Sequence, residues 1–262
     1  MSSPRVGDGF RDFERRVERE RDSWRGHRRD SDDRKTYAEV FDKRNLLRIY
    51  KLFTDGVIDM IDFPISTGKE GNVFRAMTSD GELLAVKIYR TSTATFRDMA
   101  KYIQGDPRFE GVTGNRRKLI LVWASKEYRN LQRFVKAKVR VPVPVARHDN
   151  IVVMEYIGTE ASPAPMMKSV VLEDPEHVAS VLMEYVRRGY QDAELVHGDL
   201  SEYNVLMDGN DPVIIDVGQS VLTRHPFAEE MLVRDITNMA RFFRKYSLNI
   251  DVEQQLREIR KR

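Results

Sequence analysis

The stretch Leu195–Leu206 constrains the fold of this chain more than any other part of the sequence. An apolar pair stands at each end, and the polar segment between them carries Asp199 and Asn204, five residues apart. Short apolar runs on both sides of turn residues are typical of strands, so the pattern predicts a loop held between two strands. A carboxylate that can take up a proton and an amide oxygen that can bind a metal ion make this loop a candidate for catalysis.

The spacing of this acid and amide is that of kinase catalytic loops, in which the aspartate accepts the substrate hydroxyl proton and the asparagine holds a metal ion. Asp216 lies twelve residues beyond Asn204, at the end of a Val/Ile-rich run and two residues before Gly218. Kinases present their principal Mg²⁺ ligand at such a position. We therefore expect Asp199 to be the catalytic base, and Asn204 and Asp216 to bind the metal ion.

A second motif lies in the segment Ile65–Phe74. Aligned with the kinase pattern GxGxxGxV, its glycines are Gly68 and Gly71 and its valine is Val73, while Ser66 stands in place of the first glycine. Backbone amides of such a loop can approach phosphate oxygens because glycine has no Cβ atom. A loop with two glycines is by itself more often a hairpin turn, but an Ala-Val-Lys sequence follows fourteen residues later.

Lys87 closes that Ala-Val-Lys sequence, inside the apolar run Leu83–Tyr89. A lysine at a strand end that reaches water is the simpler interpretation, but a buried lysine needs an anionic partner. Nucleotide phosphates and a carboxylate would provide one. Glu127, the one acid in a helix predicted over Ser125–Lys138, is the candidate carboxylate, and the alternative is an ordinary exposed helix acid.

The strand predicted over Ile151–Gly158 ends at a glycine, where the two lobes of a kinase are joined. Backbone groups of Glu155 and Ile157 are expected to contact an adenine edge, with Met154 at the back of the pocket. A plain buried strand is the alternative. Downstream, Asp174 and Pro175 predict a helix start.

Two further helices are expected near residues 228–232 and 235–246. The acid at the start of the second one, Asp235, either accepts backbone N–H bonds from the catalytic loop or is a simple acid at a helix N-terminus.

Charge is spread unevenly along the 262 residues, whose formal net charge is only +3. Residues 1–35 carry 11 Lys/Arg and 9 Asp/Glu with few apolar residues, which predicts a disordered tail. Residues 97–140 carry 12 Lys/Arg and 4 Asp/Glu, an excess of 12 − 4 = 8. This patch suits an acidic partner, first of all nucleic acid, although a solvated helix face explains it as well.

Other function classes are restricted by composition. The absence of cysteine excludes disulfides and cysteine-bound metals. No apolar run approaches the roughly 18 residues of a membrane span, so we expect a soluble cytoplasmic protein without membrane contact.

Four segments together resemble the RIO family of atypical protein kinases, most closely the RIO-one subfamily in its compact archaeal form. They are Ser-Thr-Gly-Lys-Glu-Gly-Asn-Val, Ala-Val-Lys-Ile-Tyr-Arg, His-Gly-Asp-Leu-Ser-Glu-Tyr-Asn and Ile-Asp-Val-Gly-Gln. The likeness implies an α+β, two-lobed, trimmed protein-kinase-like fold with an antiparallel-sheet N-lobe and a mostly helical C-lobe. The likeness begins near residue 37, and the tail of residues 1–36 falls outside it. After the tail we expect a helical extension, an N-lobe with a flexible insert, and a C-lobe: residues 37–62, 63–157 with insert 91–118, and 158–262.

The resemblance also implies cofactors and roles. ATP and Mg²⁺ are expected, with Mn²⁺ as an alternative metal. Lys87 would hold the α- and β-phosphates, and Ser66 and Lys69 would contact phosphates. Family members act in small-subunit ribosome maturation, autophosphorylate on serine and use ATP hydrolysis as a release switch through a phosphoaspartate, which here would be Asp216. Gly71 departs from the subfamily, which more often has alanine there.

The leading hypothesis is therefore an ATP-dependent serine/threonine kinase and ATPase that acts, as a monomer, on the RNA and protein of a small-ribosomal-subunit precursor and not on DNA. One alternative is an ATP-binding assembly switch with negligible transfer to other proteins. Another is a small-molecule phosphotransferase of the aminoglycoside or choline kinase type, which shares the His-Gly-Asp-Leu motif.

Overall fold

The computed structural model describes residues 42–68, 71–90 and 116–261, together with Phe10, Phe13, Arg15, Tyr102, Ile103 and Asp106. The predictions for Lys69 and for most of the segments 1–36 and 91–118 fall outside these residues.

The first part of the fold is a five-stranded antiparallel sheet with the order β1-β2-β3-β5-β4. Its strands have the following bounds: β1 Met60–Thr67, β2 Gly71–Met77, β3 Leu83–Tyr89, β4 Pro144–His148 and β5 Ile151–Glu155. Pro144, at the start of the edge strand β4, has no N–H to offer to another chain, which protects that edge.

The alternation of side chains along β3 divides the sheet between two apolar cores. Leu84, Val86 and Ile88 point to the outer core, whereas Ala85 and Tyr89 belong to the core shared with the second part of the fold. Because successive side chains point to opposite faces, Lys87 lies on the same inner face as Ala85 and Tyr89. The strand therefore places the lysine in the space between the two parts.

Helix α1, Lys43–Thr54, covers the outer face of the sheet. Asp42 caps it by accepting the N–H of Asn45 at 2.7 Å, and the buried residues Leu46, Ile49 and Leu52 recur at helical spacing. From the predicted disordered tail, Phe10 and Phe13 are described, and their rings contact Tyr50 and Phe53. These two tail residues add to the outer core.

Helix α2, Arg116–Lys136, lies against the inner face and begins nine residues before the predicted start at Ser125. The last three residues of the predicted insert 91–118 belong to this helix. Ile120, Trp123 and Ala124 form one buried face, and Leu119 and Val122, which lie off that face, are also packed against the core. A helix covered on more than one side loses the amphipathic period that would identify it.

The second part is mostly helical. It contains α3 Pro175–Gln191, α4 Ala228–Phe243 and α5 Val252–Arg260, with the strand pairs β6 Leu195–Val196 with β9 Val221–Leu222, and β7 Val205–Asp208 with β8 Asp211–Ile214. Asp174 caps α3 as predicted, accepting the N–H of His177 at 2.9 Å. The two helices predicted near 228–232 and 235–246 form the single helix α4 followed by a 3-10 turn, because nothing between them breaks a helix. Within the described part of the chain, no helix is long and apolar enough to cross a membrane.

Candidate active site

A cleft of about 460 Å³ separates the sheet from the helical part. Ten of the residues predicted to bind nucleotide or metal line it: Ser66, Gly68, Gly71, Val73, Lys87, Glu127, Met154, Glu155, Ile157 and Asp216. Apolar residues that the sequence analysis did not select complete the walls, among them Ile65, Ala85 and Leu206. Ala85 could have been found from the alternation along β3, since it lies two residues from Lys87 on the same strand.

Lys87 joins the two parts of the fold at the base of this cleft. Its Nζ lies 2.7 Å from Oε1 of Glu127 and 2.9 Å from Oδ1 of Asp216. Glu127 is 2% exposed and lies on the apolar face of α2 with Leu131. Burial alone would lower the pKa of Lys87, but Asp216 and Glu127 outweigh it and raise that pKa well above its ordinary value. The ammonium group is therefore charged.

Tyr89 binds the second oxygen of the same carboxylate. Its hydroxyl donates to Oε2 of Glu127, and Lys87 Nζ lies 5.0 Å from the centre of its ring. Burial and the neighbouring carboxylate of Glu127 raise the pKa of Tyr89 well above its usual range. Both oxygens of Glu127 thus have a partner, which fixes the carboxylate that positions Lys87.

Asp216 has an unusual backbone, with φ at +61° in the left-handed region. An L-residue seldom adopts this conformation unless neighbouring contacts hold it there. The Lys87 charge lowers the pKa of Asp216, in spite of the opposing effect of burial. The backbone geometry and the ion pair together direct an ionised carboxylate towards the cleft.

Asp199 and Asn204 lie next to this group, although neither lines the cleft itself. Asn204 Nδ2 donates to the Asp199 carbonyl at 2.8 Å and to its Oδ2 at 3.2 Å. Burial raises the pKa of Asp199, and the negative charge of Asp216 adds to the rise. A carboxylate whose pKa is raised is a better proton acceptor, which suits a general base.

Two residues that sequence reasoning did not select also support the catalytic loop. Gln219 Nε2 lies 3.4 Å from Asp199 Oδ2. His197 Nδ1 accepts the N–H of Asp199 at 3.2 Å, so the ring carries its proton on Nε2 and donates it to the Ile215 carbonyl at 3.1 Å. His197 thereby ties the loop of Asp199 to the segment that leads into Asp216.

Asp235 accepts two backbone N–H bonds from the catalytic loop. Gly198 N lies 2.7 Å from its Oδ2 and Leu200 N lies 2.8 Å from its Oδ1. Of the two alternatives for this acid, the bracing role is therefore the one found, since Asp235 lies in the interior of α4 and not at its start. The two residues that it holds flank Asp199.

Glu155 and Ile157 lie at the joint, the connection between the sheet and the helical part. Some of their backbone groups that were predicted to contact adenine instead form hydrogen bonds within the protein. The Glu155 N–H donates to Val143 O at 2.8 Å, and the Ile157 carbonyl accepts from Ala164 N at 2.9 Å. An adenine contact from these residues therefore cannot involve the Glu155 N–H, whereas the Ile157 carbonyl still has a second lone pair. Arg140 pairs with the Glu155 carboxylate at 2.6 and 2.7 Å, which holds the joint in place.

The oxygen donors of the site fit Mg²⁺. Because Asn204 uses its Nδ2 to hold Asp199, its Oδ1 is the atom left for a metal, beside the carboxylate of Asp216. No cluster of three or more His, Asp or Glu that could hold a metal occurs among the described residues. Mg²⁺ often takes only one or two protein ligands and completes its shell with substrate phosphates and water.

Comparisons with known proteins identify the family of this chain. The family described as RIO domain matches residues 72–256. The chain is 42% identical to "RIO-type serine/threonine-protein kinase Rio1" of Haloferax volcanii, over 96% of this chain and 91% of that protein. It is also 42% identical to "Serine/threonine-protein kinase RIO1" of Homo sapiens, over 88% of this chain and 41% of that protein.

Solved structures agree on the fold. The "Rio2 kinase-ADP/Mg2+-phosphoaspartate complex" from Chaetomium thermophilum superposes with a TM-score of 0.64 at 22% identity, over 83% of this chain and 67% of that one. The predicted α+β, kinase-like fold is confirmed. On this evidence the chain belongs to the RIO family of atypical serine/threonine protein kinases, and within it to the RIO1 type.

Proposed function

We propose that the chain is an ATP-dependent serine/threonine kinase and ATPase that acts in the maturation of the small ribosomal subunit. The observation that carries the catalytic part is the group at the base of the cleft, in which Lys87 is held between Glu127 and Asp216. Asp199 lies beside it with a raised pKa. A charged lysine, a proton acceptor and oxygen ligands for a metal are the parts that phosphoryl transfer requires.

Each residue then has a chemical task. Lys87 binds phosphate oxygens, and Glu127 keeps it in position. Asp199 takes the proton of the attacking hydroxyl or water. Asn204 and Asp216 would hold Mg²⁺, which when bound neutralises charge on the phosphates and orients them. Mn²⁺, with similar ligand preferences, is proposed as a substitute.

The release switch would use Asp216 as a transient acceptor. The solved Rio2 complex contains ADP, Mg²⁺ and a phosphoaspartate. In this chain an oxygen of Asp216 would attack the γ-phosphorus while the bond to the bridging oxygen of ADP breaks. Water would later hydrolyse the acyl phosphate to carboxylate and phosphate, with Asp199 accepting the proton of that water. The ion pair with Lys87 keeps Asp216 ionised, as this attack requires.

The proposed partner is a small-subunit precursor in the cytoplasm, bound by a monomer. Within the described part of the basic segment 97–140, several cations are already engaged inside the molecule. Arg133 pairs with Glu194, Arg140 with Glu155, and Lys126 is fully buried. The patch offered to RNA is therefore smaller than the excess of charge in the sequence indicates.

Replacement of Asp199 by alanine tests the catalytic part. General acid–base assistance contributes about 10²–10⁴ in rate, so we expect steady-state ATP turnover, measured as release of labelled phosphate, to fall by roughly that factor while ATP binding persists. Glu202→Gln, which alters the other acid of the same loop, serves as the control and should leave turnover near that of the wild type. Unchanged turnover in Asp199→Ala would refute the assignment.

The ribosomal part is tested by binding to purified small-subunit precursors with ATP and with a non-hydrolysable analogue. Hydrolysis should release the protein, so binding should persist with the analogue and in Asp199→Ala. Equal binding under all of these conditions would contradict the switch.

One observation favours the alternative of a switch with little transfer to other proteins. Only the ten residues 217–226 separate Asp216 from Phe227, just before α4, and they form a 3-10 turn, the short strand β9 and a tight turn. Little chain is left there to hold a peptide substrate. If label from ATP moves catalytically to added ribosomal proteins, this alternative is wrong.

A further inference from the structure

Two fully buried polar side chains of α2 bind the backbone that follows Asp216. Lys126 Nζ donates to the Gly218 carbonyl at 2.7 Å and to the Ser220 carbonyl at 2.6 Å. Asn130 Nδ2, one turn further along the helix, donates to the Val217 carbonyl at 2.8 Å and to the Ser220 carbonyl at 3.1 Å. Both residues are 0% exposed. We call these two side chains and the three carbonyls that they bind, those of residues 217, 218 and 220, the latch.

The latch connects the two segments of the chain that carry the carboxylates in contact with Lys87. Glu127 is the neighbour of Lys126 on α2, and Asp216 immediately precedes the latched segment. A movement of α2 that withdrew Glu127 from Lys87 would also break the four hydrogen bonds of the latch.

Close packing leaves the latched segment little freedom. A Cβ atom on Gly218 would lie 2.9 Å from Nε1 of Trp123, a residue of α2. The backbone at Gly218 therefore packs directly against α2. The chain enters this segment at Asp216, whose backbone has the left-handed conformation. A conformation of this kind persists only where the surroundings determine it, and the latch provides those surroundings.

We propose that Lys126 and Asn130 are positioning residues for the metal ligand Asp216, because they hold the segment 217–220 against the helix that carries Glu127. The inference rests on the proposed function, in which Asp216 binds Mg²⁺. The latch aligns the Asp216 carboxylate for the metal and couples that alignment to the Lys87–Glu127 pair. Groups that orient a metal ligand typically change metal affinity by about 10–100-fold when they are removed.

The test compares Lys126→Met, Asn130→Ala and the conservative Lys126→Arg with wild type. Lys136→Met, at an exposed position in the last turn of the same helix, is the matched control. Calorimetry measures ADP binding at a series of Mg²⁺ concentrations, and the same series is measured for kcat and KM. The Mg²⁺ concentration for half-maximal ADP binding should rise about tenfold or more in Lys126→Met and Asn130→Ala. Metal-free ADP binding should change little, and Lys126→Arg and Lys136→Met should resemble wild type.

If ADP binding by wild type depends on Mg²⁺ and Asn130→Ala needs no more Mg²⁺ than wild type, the positioning role is overturned while the proposed function stands. If wild type itself binds ADP without any dependence on Mg²⁺, the proposed function fails as well. If Lys126→Met does not fold, the Mg²⁺ requirement of Asn130→Ala, compared with that of Lys126→Arg, tests the positioning role. An equal loss of metal-free and metal-dependent ADP binding in Asn130→Ala would likewise overturn the proposal, because a general structural defect would explain it.

Discussion

The ionisation of Asp235 should make the stability of this protein depend on pH in a predictable direction. Burial raises the pKa of Asp235 from its ordinary value of 3.8 to about 6, against the opposing effects of His197, of the two loop N–H groups and of Arg234. The folded state therefore holds this proton more tightly than the unfolded state. The stability that Asp235 contributes is fully present below pH 3.8 and is lost as the pH rises through about 6.

The magnitude follows from the two pKa values. The complete difference between pKa 3.8 and about 6 corresponds to about 3 kcal/mol. Between pH 5 and pH 8, the linkage relation gives a loss of about 1.4 kcal/mol for the wild type. Asp235→Asn has no such proton. An asparagine also accepts only one of the two loop N–H groups, so it should be less stable, and this deficit should be about 1.4 kcal/mol larger at pH 5 than at pH 8.

Urea unfolding followed by circular dichroism at pH 5, 6, 7 and 8 measures this difference. The effects of groups that do not interact with Asp235 cancel because the two proteins share them. Asp80→Asn, in the exposed turn between β2 and β3, is the control and should remain parallel to wild type. A deficit of Asp235→Asn that is the same at every pH would refute the reasoning, because Asp235 would then not carry a raised pKa.

Two further predictions concern the cleft and its joint. Glu127→Gln replaces the carboxylate 2.7 Å from Lys87 with a neutral amide, and since a hydrogen bond between charged groups contributes about 1.5–3 kcal/mol, KM for ATP should rise about tenfold or more in steady-state kinetics. An unchanged KM would contradict the role of this pair. Gly158→Ala places a Cβ 2.5 Å from Ser162 O at φ +144°, so the thermal midpoint should fall by roughly 4–8 °C for a loss of about 2 kcal/mol. Gly209→Ala, at φ +62° with no atom within 4 Å of its Cβ, is the control, and an equal fall in both would show that the clash is unimportant.

Local patterns predicted much of the fold. Alternation along β3 explains why Lys87 faces the cleft, and the cap of Asp174 marks the start of α3. The pattern failed at α2, whose apolar start is covered on more than one side and so has no amphipathic period. The sequence patterns also predicted two helices where the structure has the single helix α4, although no glycine or proline interrupts residues 228–243.

The sequence by itself determined the chemical groups of this protein and their order: a lysine in an apolar strand, an acid and an amide five residues apart, and a second acid after a Val/Ile run. Motifs reveal such groups because the chemistry requires particular side chains. Only the tertiary structure decided that Glu127 is buried against Lys87 and that Asp235 braces the loop. It also decided that Lys126 and Asn130 bind carbonyls about ninety residues away. Every residue has a backbone carbonyl, so a contact of this kind leaves no pattern in the sequence.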